Sequence, residues 1–440
     1  MSVELLTRLR QPHHAAKVCE VAAPPNVVRG PPVAGDSSAF LTSGRRGVRQ
    51  LSHGFPHGYT YRDHMSDFSR SAHRVAVAGG SIGGLFAAAM LHRLGHDVTV
   101  YEKSVHGLRA RGAGLVAQDE VFTALDAAGV SPSAVPGVTS VERITLDLRG
   151  AIRYRERAEQ TQLSWDRLYD GLRGAIPDSR YVLDSPVTGV RAGADVISFS
   201  AGNERHEADL LVGADGAHSH VRRFVAPEGG EPAHVGYAIW RGLIPEDLVP
   251  AAAADTLFRR MTFYTGPGEH ALGYLVPGPD GQTQPGSRRY NWVWYRSMSS
   301  DELSTLMTAA GRASTSTSLA PGQTPTDITT HLIDAARHRL PPQFAEVVAM
   351  EPRPFLQGVL DYVAPRITRD RAVLLGDAAT VVRPHTAMGA AKAAGDALTL
   401  ARALHSSTID DALVAYGEQR LPVARSIAEY GVRLGEQLPL

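Results

Sequence analysis

Two stretches far apart in this chain carry residue types that could do chemistry together. The later one reads Arg371-Ala-Val-Leu-Leu-Gly376-Asp377, followed by Arg383-Pro384-His385 and then Gly389-Ala390-Ala391-Lys392. The earlier one is Gly79-Gly80-Ser81-Ile82-Gly83-Gly84. An apolar strand that ends in Gly-Asp offers a carboxylate, which suits a polyhydroxylated chain. A Gly/Ala-rich helix start offers bare backbone N–H groups, which suit the electron-rich edge of a ring. Glycines between a strand and a helix let a pyrophosphate approach the backbone closely. Pyrophosphate, polyhydroxylated chain and electron-rich ring are the parts of a flavin dinucleotide, so a flavin is the expected ligand.

The surrounding elements agree. Arg74–Ala78 reads as a short apolar strand, 82–94 as a helix stopped by Gly95, and Asp97–Tyr101 as a second strand, a βαβ start. Glu102 closes that second strand, where an acid meets ribose hydroxyls in the dinucleotide fingerprint. Ser81 departs from the fingerprint, because it stands at the middle glycine position. The same run also spells Gly79-x-Ser81-x-Gly83, a nucleophile elbow that would make Ser81 the nucleophile of a serine hydrolase. No HGGG-type oxyanion segment accompanies it, and that alternative leaves the Gly376-Asp377 region unexplained. A second strand-then-loop pattern, Asp209 to Gly213 followed by Asp215-Gly216 and Ser219 to Arg222, forms a turn and a helix start.

Composition narrows the remaining classes. The chain has 440 residues, 43% of them apolar and 20% charged, so more than one lobe is expected around ordinary soluble cores. Net charge is +0, which gives no reason to expect nucleic acid or an anionic membrane as partner. One cysteine, Cys19, excludes an internal disulfide framework and a Cys-based metal cage. The longest apolar run, 82–91, is too short to span a bilayer and no secretory signal precedes it, so a cytoplasmic protein is expected. His218-x-His220 and His53-x-x-x-His57 lack further ligands at metal-binding spacing, so no metal is expected.

Residues 1–72 are rich in Pro, Gly, Ser, His and Arg without a sustained period, and read as a disordered or non-native extension with Met65 as the natural first residue. Residues 180–212 read as short strands. Aromatic alternation at 235–241, 272–277 and 290–295 predicts an antiparallel sheet with one buried face. Tyr264, Tyr274, Trp292 and Trp294 are candidates for a pocket on that sheet or for its core. Residues 309–326 read as a loop and 393–437 as two helices.

Taken in order, GGSIGG, Glu102, Arg111-Gly-Ala-Gly-Leu115, the Asp215-Gly216 segment, the aromatic sheet and the Gly376-Asp377 segment resemble the single-component flavoprotein aromatic hydroxylases (class A monooxygenases). Within that family the resemblance is strongest to the group of 2,6-dihydroxypyridine 3-monooxygenase, through the Gly-Gly-Ser-Ile start, Tyr-x-x-Trp-Arg-Gly at 237–242 and Arg383-Pro384-His385. It covers about residues 73–430.

The resemblance implies FAD, reduction by NADPH or NADH, and attack of a flavin C4a-hydroperoxide on a small electron-rich aromatic substrate, a hydroxylated pyridine such as 2,6-dihydroxypyridine. The alternative within the same fold is a tailoring oxidase or reductase acting on a larger natural product. It further implies a three-layer α/β FAD-binding Rossmann-like domain (73–233 and 355–405) interleaved with an antiparallel-sheet substrate domain (234–354), and a C-terminal helical segment (406–440). Gly79, Ser81 and Gly84 would meet the pyrophosphate, Glu102 the ribose, Arg111 and Gln118 the flavin side and Asp377 the ribityl chain. Asp215 would lie where FAD and the nicotinamide approach, while Gly389 and Ala390 would offer N–H groups to the ring. His385, and after it His270, are the candidates for the base that polarises a ring hydroxyl. Trp165 and Ala391 depart from the family pattern, which has arginine and asparagine there in many members. A homodimer is compatible with the pattern.

Overall fold

A computed structural model describes residues 72–108 and 113–440, so the extension before residue 72 and Arg111 lie outside the described residues. The described chain opens with β1 (Arg74–Ala78), α1 (Ile82–Arg93) and β2 (Asp97–Tyr101), the expected βαβ start. β3 (Gly114–Val116) and α2 (Asp119–Ala127) precede a long hairpin, β4 (Gly137–Leu146) with β5 (Ile152–Ser164), which runs into α3 (Trp165–Arg173). Short strands follow, β6 (Tyr181–Val182), β7 (Val187–Ala192), β8 (Ile197–Ala201), β9 (Glu204–Ala208) and β10 (Leu210–Gly213), and then α4 (His220–Val225).

The middle of the chain contributes β11 (Ala233–Pro245), α5 (Ala251–Leu257), β12 (Arg260–Gly266), β13 (Glu269–Val276), β14 (Arg289–Ser297) and α6 (Ser300–Ala309). After β15 (Ser318–Leu319), α7 (Thr326–Arg339) and α8 (Pro342–Ala349), the chain returns through β16 (Phe355–Val363), β17 (Thr368–Arg369), β18 (Ala372–Leu374) and β19 (Thr380–Val381). Helices α9 (Gly389–Ser406) and α10 (Ile409–Gly435) follow.

Three sheets result. A six-stranded sheet has the order β17-β18-β10-β1-β2-β6, parallel except for β17. Its strands are short and apolar because both faces are covered: Val75, Val98, Leu211 and Val373 share one core with α1, α9 and the sheet β7-β8-β9. Helix α1 is buried along most of its length, with Leu85, Phe86 and Leu91 fully enclosed, because sheet and helices flank it. Pairing of β18 with β10, Leu211 opposite Ala372, brings the Gly376-Asp377 turn beside the strands of the early glycine run.

The third sheet has ten strands, ordered β15-β16-β11-β14-β13-β12-β4-β5-β3 with β19 beside β16. Strands from before residue 165 and after residue 232 share it, so the two sheet systems are interleaved in sequence. Period-two alternation gives this sheet two different faces. Trp240, Trp292, Trp294 and Tyr264 point to one face and pack with Leu257, Met307, Leu332 and Phe344 from α5 to α8. The opposite face carries Ile239, Tyr295 and His270 in one row, Arg241, Val293 and Leu272 in the next, then Leu243, Asn291 and Tyr274. Of the four aromatics considered for a pocket, Tyr264, Trp292 and Trp294 belong to the helix-covered core, and only Tyr274 lies on the other face. Among the described residues no helix is long and apolar enough to cross a membrane.

Candidate active site

The early glycine run forms a turn that tolerates no side chain at Gly79 or Gly84. Gly79 has φ 98°, and a Cβ there would stand 2.4 Å from the carbonyl oxygen of Ala214. A Cβ on Gly84 would stand 1.9 Å from the carbonyl oxygen of Gly79. Glu102 is buried and braces this turn, its two carboxylate oxygens accepting from the N–H of Gly80 and of Ser104 at 2.8 Å each. Ser81 is the N-cap of α1 yet makes no capping hydrogen bond with its side chain, so the first N–H groups of α1 keep their anion-binding capacity. Asp215 packs its Cα on Gly79 and spends its carboxylate on capping α4: it accepts from Ser219 Oγ and from the N–H of His220 at 2.7 Å. Arg222, fully buried, donates to the carbonyls of Ala217 at 2.6 Å and Ala378 at 3.3 Å, tying this loop to the Gly376-Asp377 turn.

That second turn is held by a buried ionic network. Asp396 accepts from the N–H of Gly376 at 3.0 Å, pairs with Lys392 at 3.0 Å and Arg420 at 2.7 Å, while Lys392 also donates to the carbonyl of Gly376 at 2.8 Å. Burial alone would raise the Asp396 carboxyl, but Lys392 and Arg420 overcome it and hold it below the usual range. The side chain of Asp377 forms no pair in this network and remains exposed, although protein crowds it on its other sides. Lost solvation raises its carboxyl, Asp396 adds to that, and Lys392 opposes it. Helix α9 then begins at Gly389 and Ala390 after Met388, which supplies no side-chain cap, so its leading N–H groups are open. Gln118, at the start of α2, donates to the carbonyl of Ala387 at 2.9 Å and so brings β3 and α2 to this loop.

His385 lies between these turns and the open face of the ten-stranded sheet. Its Nε2 is 2.9 Å from the carbonyl of Gly431 in α10, so Nε2 carries the proton and Nδ1 is a buried acceptor without a partner. Its ring stands 6.4 Å from that of Tyr237 and 6.1 Å from that of Tyr295. Tyr295 in turn is 5.6 Å from His270, whose Nδ1 pairs with Thr265 Oγ1 at 2.9 Å. The two candidate histidines, distant in sequence, therefore meet across one tyrosine. Burial, with His385 adding to it, pushes His270 down to about 4; burial also lowers His385. Both rings are neutral near pH 7 and can accept a proton or a hydrogen bond there.

Several members of this arrangement were noticed in the sequence only as strand or motif residues and not as site residues. Tyr237, Arg241, Asn291 and Tyr295 share the open face, and their signal was the alternation of β11 and β14, with Arg241 and Asn291 as polar residues among aromatics. The Lys392–Asp396 pair had a signal too: the spacing i, i+4 in an alanine-rich helix, using a residue type that this chain otherwise places only at Lys17 and Lys103.

The comparisons with known proteins fit this geometry. Residues 234–361 match a family model described as FAD binding domain-like. The chain is 32% identical over 344 residues to 2,6-dihydroxypyridine 3-monooxygenase of Paenarthrobacter nicotinovorans, covering 76% of this chain and 83% of that protein. It is 30% identical to 3-amino-4-hydroxybenzoate 2-monooxygenase of Streptomyces cremeus, covering 83% and 88%. The solved structure of 2,6-dihydroxypyridine-3-hydroxylase from Arthrobacter nicotinovorans superposes with a TM-score of 0.78 at 29% identity, covering 84% and 94%. Klebsiella pneumoniae HpxO complexed with FAD and uric acid shares the fold, with a TM-score of 0.65 at 20% identity over 82% of this chain and 87% of that one.

The chain belongs to the FAD-dependent aromatic monooxygenases, the class A flavin hydroxylases. Its own residues suit that cofactor: a glycine turn that a Cβ would fill, two helix starts with open N–H groups, and an unpartnered Asp377 carboxylate. The hydrolase alternative at Ser81 falls with this assignment.

Proposed function

We propose that the protein hydroxylates a small electron-rich aromatic ring, with a hydroxylated pyridine such as 2,6-dihydroxypyridine as the leading substrate, at the expense of NADPH or NADH and O₂. The balance is one ring C–H, O₂, NAD(P)H and a proton giving one ring C–OH, water and NAD(P)⁺. FAD, when bound, supplies hydride acceptance and oxygen activation. The observation that carries the reading is the meeting of His385, Tyr295 and His270 on the sheet face beside the Gly389 helix start.

In this reading Gly79, Ser81, Gly84 and the start of α1 hold the pyrophosphate, Glu102 adds ribose hydroxyls to the two N–H groups it already accepts from, and Asp377 takes the ribityl chain. Gly389 and Ala390 direct N–H groups at the ring edge, and Asp215 shapes the entrance that the nicotinamide uses. His385 Nδ1 and His270 accept hydrogen bonds from ring hydroxyls. Burial keeps both neutral, so each works better as an acceptor that polarises a hydroxyl than as a base that keeps the proton. The aromatic walls around them exclude water, which limits wasteful reduction of O₂ to peroxide. A cytoplasmic enzyme is proposed on the same ground, the class of reaction.

The test is the visible spectrum of the purified protein, followed by NADPH and NADH oxidation with and without 2,6-dihydroxypyridine. Substrate-stimulated oxidation with hydroxylated product supports both class and substrate. Flavin without stimulation moves the substrate to other rings, including larger natural products.

A further inference from the structure

Arg241 is a charged side chain on the open sheet face whose chemistry the reading above leaves unused. It follows Trp240 in β11, and alternation turns it away from the tryptophan core, into the row of Val293 and Leu272. It is half-buried, its Nε is enclosed without a hydrogen bond, and no carboxylate pairs with it among the described residues. Other arginines of comparable burial are paired: Arg289 with Asp166 at 2.7 Å, Arg383 with Asp361 at 2.6 Å and Arg420 with Asp396 at 2.7 Å. A half-buried guanidinium without a counter-charge is costly unless something else supplies the anion.

The neighbours do not supply it. Arg241 acts electrostatically on Tyr274 and Tyr295, yet burial dominates and raises both phenols, Tyr274 to about 12, so both stay neutral. His270 and His385 are neutral as well. One row along from Arg241, Asn291 accepts the N–H of Gly114 through Oδ1 at 3.1 Å, which leaves its fully buried Nδ2 without a partner. Diagonal neighbours on adjacent strands lie about 7–8 Å apart, within reach of long side chains, so the cation and the unused amide donor sit on one sheet face close enough to meet one ligand.

We infer that Arg241, assisted by Asn291, is an oxyanion subsite that binds the aromatic substrate through an ionised ring oxygen. This rests on the aromatic-hydroxylase reading and adds to it the residues that hold the substrate's anionic oxygen. An ionised oxygen makes the ring more electron-rich at the carbons that oxygen insertion attacks. It also removes the need for a strong base, in keeping with histidines that burial holds neutral. The guanidinium offers two parallel N–H donors, a match for a planar anion that lysine reproduces only as a point charge.

The experiment is calorimetric titration of the FAD-loaded protein at pH 8 with two pairs of same-shaped ligands. One pair is 2,6-dihydroxypyridine, ionised, against neutral 2,6-diaminopyridine; the other is benzoate against benzamide. The wild type is expected to prefer the anion of a pair at least tenfold. Arg241→Met should weaken anion binding about 10- to 100-fold, the size expected for a hydrogen bond to a charged group, and leave the neutral ligand unchanged. Arg241→Lys should lose less than Arg241→Met, again for the anion alone. FAD content and far-UV circular dichroism establish that each variant is folded. If Arg241→Met does not fold, the wild-type preference together with the Lys variant decides.

Equal losses for anion and neutral ligand, or no anion preference in either pair, overturn the inference. Failure of the wild type to bind either pyridine, while it prefers benzoate over benzamide and Arg241→Met abolishes that preference, would overturn the substrate named above and support Arg241 as the anion subsite.

Discussion

Asp377 and His385 show what a single side chain contributes once its surroundings are known. Asp377 stands exposed with its carboxylate unused, so its replacement by alanine should leave the fold intact and act on the cofactor. Charge-assisted hydrogen bonds are worth about 1.5–3 kcal/mol, so FAD should bind about 10- to 100-fold more weakly to Asp377→Ala, measured by fluorescence titration of the apoprotein. Wild-type affinity would remove Asp377 from the cofactor site. His385→Ala should keep FAD but raise the share of NAD(P)H oxidised to hydrogen peroxide, because a buried acceptor is lost and water enters its space. An unchanged ratio of product to NAD(P)H would sink that role. Both residues were singled out from the sequence because each sits in a local pattern with a physical meaning. Arg241 was not, although its strand was noticed: which way it faces depends on the register of β11 against β14, and register is set by partners far away in the chain.

At the scale of elements, strands with one buried face were legible and those without were not. The aromatic runs became β11, β13 and β14, each somewhat longer than its apolar segment. Strand β5 gave no comparable signal, because the half from Ile152 to Arg157 is largely exposed on both sides and its residues are mostly charged or polar. Helix α9 shows the reverse case, where an element was anticipated and its fastening was not. Lys392 and Asp396 lie on one helical face, and Arg420 reaches them from α10 to complete the clasp on Gly376. Asp396→Asn would leave two cations facing a neutral amide. Breaking a buried pair from one side costs about 3–5 kcal/mol, so the denaturation midpoint should fall clearly, and FAD affinity with it, because the Gly376 turn loses its tether. A stability loss without change in FAD affinity would separate the clasp from the cofactor turn.

Over the whole molecule, interleaving of the two sheet systems is what local patterns show least, since it depends on β3, β4 and β5 joining strands from the middle of the chain. Each system also encloses a histidine that burial holds neutral, and the pair contributes to the acid response of the protein. Burial is the main cause at His96, aided by His73 and His405, and it pushes that ring down to about 4; His270 in the ten-stranded sheet is likewise pushed down to about 4. The ordinary value is 6.5, so between pH 6.5 and about 4 the unfolded chain binds more protons at these two sites than the folded one. Stability therefore rises with pH across that window, is complete above it, and is lost as pH falls. At pH 5 the loss should be on the order of 1–2 kcal/mol for each histidine. Glu351 and Asp377, both raised chiefly by burial, act in the opposite sense just above the usual carboxylate range and offset part of it. The melting temperature of the FAD-loaded protein should fall by a few degrees from pH 7 to pH 5, and a His96→Gln/His270→Gln double variant should show a shallower slope. A melting temperature that stays flat over this range, or a slope the double variant does not change, would mean that these rings exchange protons with solvent in the folded state as freely as in the unfolded one.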